Sequence, residues 1–103
     1  MAVNQKLQML RKLDFDDFCI LTLMSDGHTN KDIAKWLYLT PPAISHRSLK
    51  YISIWGDSFF DQTTEFSKKK PSESGIAVCK KMKATLYIYL ELPDDFRFVS
   101  LYE

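Results

Sequence analysis

The chain has 103 residues, 46% of them hydrophobic and 14% aromatic, and a formal net charge of +1. That length holds one domain, residues 1–103, and that apolar share supports a packed core, which excludes a disordered tail. Three glycines and four prolines are too few for an all-β fold with many tight turns, so a mainly helical fold is expected.

In chain order, residues 5–13 place Leu7, Leu10 and Leu13 at spacings of three, with Lys6, Arg11 and Lys12 between them, and predict a short amphipathic helix. Asp14 and Asp16 are caps for a second helix with an apolar face of Phe15, Phe18, Leu21 and Met24, stopped by Asp26-Gly27. Thr29 caps a short third helix, with Ile33, Ala34 and Leu37 inward and Lys31, Asp32 and Lys35 outward. After a turn at Tyr38 and Leu39, Thr40 caps a helix over residues 41–55, with Pro41 at its first position, where a missing N–H costs nothing. Its expected buried side is Ile44, Tyr51 or Ile52, and Trp55; its expected exposed side is Ala43, His46, Arg47 and Lys50. Residues 59–70 read as a short β-ribbon with Lys68, Lys69 and Lys70 at its tip or return strand. A last helix spans residues 72–92, although beyond Leu86 the pattern fits a helix or a strand, and residues 93–103 form an apolar tail.

Two short helices joined by a three-residue turn make a helix-turn-helix, and the ribbon after it makes a winged one, with residues 14–71 as the core. The second motif helix opens with small residues, as close approach to a groove floor requires, and cations follow one turn later, where phosphates lie. Ala43 can meet a thymine methyl, Ser45 or His46 a base edge, and Arg47 and Lys50 a guanine or a phosphate. Thr40, Pro41 and Pro42 at the helix start are expected DNA contacts, Thr40 also a cap, and Thr29, Asn30 and Lys31 are phosphate ligands or simple capping residues. Lys68, Lys69 and Lys70 neutralise phosphates without reading sequence, or form a solvated charge run. Charge is distributed accordingly: residues 28–83 carry ten basic and five acidic side chains, against three and four before them and one and four after.

The run Thr40-Pro41-Pro42-Ala43-Ile44-Ser45-His46 resembles the Ser-Gln-Pro-Ala-Leu-Ser-Arg signature of LysR-type transcriptional regulators. Gly56-Asp57-Ser58-Phe59-Phe60-Asp61 is similar to the start of that family's wing, and Lys69-Lys70-Pro71-Ser72-Glu73-Ser74-Gly75 to the start of its linker helix. The first motif helix matches in Asp32-Ile33-Ala34-Lys35-Trp36-Leu37. The chain departs from the family at Pro41 (usually Gln), Ser48 (usually aliphatic), Gln62 (usually Arg) and Pro71 (usually Leu). Residues 27–34 also resemble LuxR-type DNA-binding domains, a similarity that fades after Thr40. The resemblance implies a DNA-binding domain standing without an effector domain, paired through its last helix. The stripe Ile76, Cys79, Leu86 and Leu90 is the expected homodimer seam.

The sequence holds no nucleophile with its base and acid, no glycine-rich phosphate loop and no metal-ligand spacing, so no enzyme, cofactor or metal is expected. Cys19 and Cys79 sit in apolar runs and read as buried, reduced thiols. With neither a signal peptide nor a membrane span expected, the location implied is a bacterial cytoplasm. The expected function is therefore a homodimeric, sequence-specific regulator of transcription bound to duplex DNA. The alternative is a protein that pairs with a DNA-binding regulator without reading DNA itself.

Overall fold

A computed structural model of the chain describes residues 2–61 and 70–103. Five α-helices lie among them: α1 (Val3–Leu10), α2 (Phe15–Ser25), α3 (Asn30–Trp36), α4 (Pro41–Trp55) and α5 (Glu73–Tyr89). Two 3-10 turns, Asp57–Phe59 and Phe98–Leu101, complete the regular structure.

The centre of the fold is α2. Asp14 caps it reciprocally with Asp17: the Asp17 amide donates to the Asp14 carboxylate at 2.9 Å, and the Asp14 amide donates to the Asp17 carboxylate at 2.9 Å. From there Cys19, Ile20, Leu21, Leu23 and Met24 are all buried, so apolar contacts surround the helix instead of lining one stripe. The expected face is corrected in consequence. Leu21 and Met24 are buried as expected, but Phe15 is exposed and Phe18 only partly covered, while Cys19, Ile20 and Leu23, outside the expected face, are buried too.

The pair α3–α4 forms as its caps dictate. The Thr29 hydroxyl accepts from the Asp32 amide and the Thr40 hydroxyl from the Ala43 amide, both at 3.2 Å. Between them the Leu39 amide donates to the Ala34 carbonyl at 2.8 Å, and Tyr38 turns the chain at φ 55°. That left-handed geometry is strained for an aromatic residue. Ile33, Ala34, Ile44 and Tyr51 close the core below. Gly56, at φ 97°, ends α4.

The expected β-ribbon is overturned among the described residues, which contain no strand. A single antiparallel bridge pairs Phe60 with Pro71, bracketed by bonds from the Asp61 amide to the Lys70 carbonyl and from the Ser72 amide to the Phe59 carbonyl. Two causes are visible. Phe59 is drawn into a 3-10 turn by ring contacts with Tyr51, Trp55 and Phe60, and Pro71 has no N–H for a ladder. Residues 62–69, including Lys68 and Lys69, lie outside the described residues.

Ser72 caps α5, and its hydroxyl also donates to the Ser58 carbonyl. Gly75 allows the close approach that follows: a Cβ there would lie 2.0 Å from the Phe59 carbonyl oxygen. The expected dimer seam is mostly consumed inside the fold. Cys79 and Leu86 are buried against the core and Ile76 is half-covered, because α2 already occupies that side of α5; Leu90 keeps 37% exposure. After α5 the chain returns, burying Phe98 and Val99 against α2. The Tyr87 hydroxyl donates to the Phe96 carbonyl at 2.6 Å and pins this return. Among the described residues no helix is long and apolar enough to cross a membrane.

Candidate recognition site

The helix expected to enter a DNA groove is α4. Its buried residues Ile44, Ser48 and Tyr51 define one side, and the helical period puts Pro42, His46, Leu49 and Ser53 on the opposite one. All four are exposed, Leu49 at 55%. Ala43 and Ser45 flank this face and are half-covered.

Arg47 and Lys50 do not project from it, which corrects the expectation of a cationic groove face. Arg47 donates to the carboxylates of Asp14 at 2.8 Å and Asp17 at 2.9 Å, and lies 3.8 Å from Asp16. Lys50 reaches the other Asp17 oxygen at 2.5 Å and the Lys12 carbonyl at 3.1 Å. The Tyr51 hydroxyl donates to Asp17 at 2.7 Å. Asp17 is fully buried, so its carboxylate needs this many donors. With two cations, a phenol and an amide on its two oxygens, it is fully satisfied, and no buried side-chain polar atom among the described residues lacks a partner.

Titration follows from the geometry. Burial would raise the Asp14 carboxyl, but the Arg47 hydrogen bond, the Asp17 amide and the charges of Arg47 and Lys50 outweigh it and hold it below its ordinary value. For Arg47 the bond to Asp14 outweighs burial and raises the guanidinium further. Burial, then the Asp17 charge, push the Tyr51 phenol up.

The start of α4 also offers less to an anion than a helix N-terminus normally does. Pro41 and Pro42 occupy its first two positions and have no N–H, the Ala43 amide is taken by Thr40, and the Ile44 amide bonds the Thr40 carbonyl. At α3 Asn30 is half-covered, and Thr29 serves as the capping acceptor for Asp32. Lys31 and Lys35 are exposed on α3, and Lys70 is exposed beside the bridge. His46 is exposed, and the His28 ring meets the Trp36 edge at 5.0 Å.

The site as built is therefore a neutral, uncovered helix face locked to α2 from behind by a partly exposed ionic cluster centred on the buried Asp17. Comparison with protein families, with curated proteins and with solved structures finds no match. The likeness to LysR-type regulators stays a likeness of short motifs, and the chemistry of the site has to be read from its own residues. Among the described residues, no group of three or more His, Cys, Asp or Glu could hold a metal ion.

Sequence reasoning missed Asp17 and Tyr51 as partners of the two cations. A signal was present: Asp17 is a carboxylate inside the apolar run 15–24, a position that burial makes costly unless cations come to it.

Proposed function

We propose that the chain is a non-enzymatic helix-turn-helix module of the bacterial cytoplasm that binds a protein through the outer face of α4, modulating a DNA-binding regulator by pairing with it. The observation that carries this reading is the withdrawal of Arg47 and Lys50 onto Asp17. Affinity for duplex DNA grows with the number of phosphates neutralised, and the face α4 turns outward carries no Lys or Arg. Exposed Leu49 between Pro42, His46 and Ser53 has the low charge of a protein-contact core. The free, buried thiols of Cys19 and Cys79 fit a reducing compartment.

Duplex DNA is the second reading, favoured by exposed Lys31, Lys35 and Lys70 and by Ser45 and His46, which can hydrogen-bond base edges. Fluorescence anisotropy on a mixed-sequence duplex separates the two. The protein reading expects no binding at low or moderate salt up to tens of micromolar chain. If Lys31, Lys35 and Lys70 each neutralise one phosphate, affinity should instead fall about 40-fold between about 50 and 200 mM salt. A photo-crosslinking residue at position 49, introduced in cells, should capture protein under the first reading and nucleic acid under the second.

A further inference from the structure

The helix α1 buries no residue in its own chain, and Val3 and Leu7, one turn apart, are 77% and 58% exposed. Eight residues are too few for a helix to persist in water alone, since isolated helices below about 12–15 residues are marginal. This apolar stripe therefore needs a cover. Its own charged residue and the two that follow it are positive: Lys6, Arg11 and Lys12 are exposed, and the first acid in the chain is Asp14.

A complementary surface lies at the far end of the molecule. At the C-terminus of α5, Ile88 and Tyr89 are 78% and 80% exposed, and the exposed acids Glu91, Asp94 and Asp95 follow. Beside Ile88 is a groove of about 410 Å³ whose lining includes Tyr87, Leu92 and Asp94. Lys80 and Lys83 line it too, but Lys83 is neutralised by Asp26 at 2.6 Å. The groove also touches Ser25 and Asp26, at the C-terminal end of α2, whereas α1 leads into the N-terminal end of that helix. Eleven residues of helix, roughly 16 Å, separate the two, and none of the residues lining the groove belongs to α1.

We propose that α1 of one copy docks on the Ile88–Tyr89 end of α5 in a second copy, its cations against Glu91, Asp94 and Asp95, and that the reciprocal contact closes a two-fold dimer. An apolar stripe with a basic rim meets an apolar patch with an acidic rim, which fixes orientation as well as partner. The contact differs from the buried Cys79 and Leu86 seam, and it is independent of what α4 binds.

Sedimentation equilibrium on the full chain tests it. Wild type should be dimeric at tens of micromolar, and Leu7→Asp and Ile88→Asp should each weaken the dimer at least tenfold. Both sites are exposed, so the urea midpoint measured on dilute, monomeric chain should hold. Mixing the two variants should restore a mixed dimer, because one of its two contacts is then wild type on both sides. Reversing Lys6 and Arg11 to Glu should weaken association, and reversing Asp94 and Asp95 to Lys in the same chain should recover it. A monomeric wild type, a dimer indifferent to both apolar changes, a mixture that stays monomeric, or a charge reversal without recovery would each overturn the proposal.

Discussion

Asp17→Ala is the change with the largest expected effect on this fold. The carboxylate is fully buried and receives Arg47, Lys50, the Tyr51 hydroxyl and the Asp14 amide. Its removal strips the buried Tyr51 hydroxyl of its acceptor and leaves two cations facing a void. Removing one side of a buried pair costs about 3–5 kcal/mol. The lower end applies here, because Arg47 keeps Asp14 at 2.8 Å and Lys50 keeps the Lys12 carbonyl at 3.1 Å. At about 4–8 °C per kcal/mol for a domain of this size, a loss of ~3 kcal/mol lowers Tm by roughly 12–24 °C. Tyr51→Phe, which keeps the ring and removes one bond to a charged group, should cost about 1.5–3 kcal/mol. Urea unfolding followed by the fluorescence of Trp36 and Trp55 measures both. His46→Ala, on the outer face of α4, is the control and should stay within about 0.5 kcal/mol. If Asp17→Ala unfolds within 1 kcal/mol of wild type, the cluster does not hold α4, and Arg47 and Lys50 are free for an outside partner after all.

Gly75→Ala should destabilise by at least about 1–3 kcal/mol, since its Cβ would meet the Phe59 carbonyl; a neutral result in the same urea assay would mean the α5 approach is looser than drawn. Asp14 titrates below its unfolded value, so its share of stability is complete above about pH 4 and declines as pH falls through the folded value. Asp14→Asn should flatten the acid limb of a stability-against-pH curve, and an unchanged limb would refute the Arg47 pairing. Burial pushes the Cys79 thiol up to about 12 and also raises Cys19, so a thiol reagent at neutral pH should modify neither until the chain unfolds. Fast labelling of the native protein would contradict that burial.

Features set by neighbours in sequence were legible before the structure. Thr29 and Thr40 cap their helices, Pro41 begins α4 and the chain turns at Tyr38, because capping and turn chemistry act over three or four residues. Features set by distant partners were not. Arg47 has the same local surroundings whether it faces a phosphate or an aspartate 30 residues away, and only the packing of α4 on α2 decides. The stripe Ile76, Cys79 and Leu86 looks alike whether its cover is another copy or α2. The ribbon failed for a related reason: Phe59 and Phe60 favour strands by composition, but packing on Trp55 and Tyr51 governs them here.

The burial of α2 on every side has a bearing on synthesis. Part of its cover comes from Phe98 and Val99, so some of its neighbours in space are the last to be translated. A nascent chain halted near residue 60 has the sequence of α3 and α4 but not of α5 or the last turn, and so leaves α2 without part of its cover. Such a fragment should recruit holdase chaperones on the ribosome, and the native state should be reached only after the last turns leave the exit tunnel.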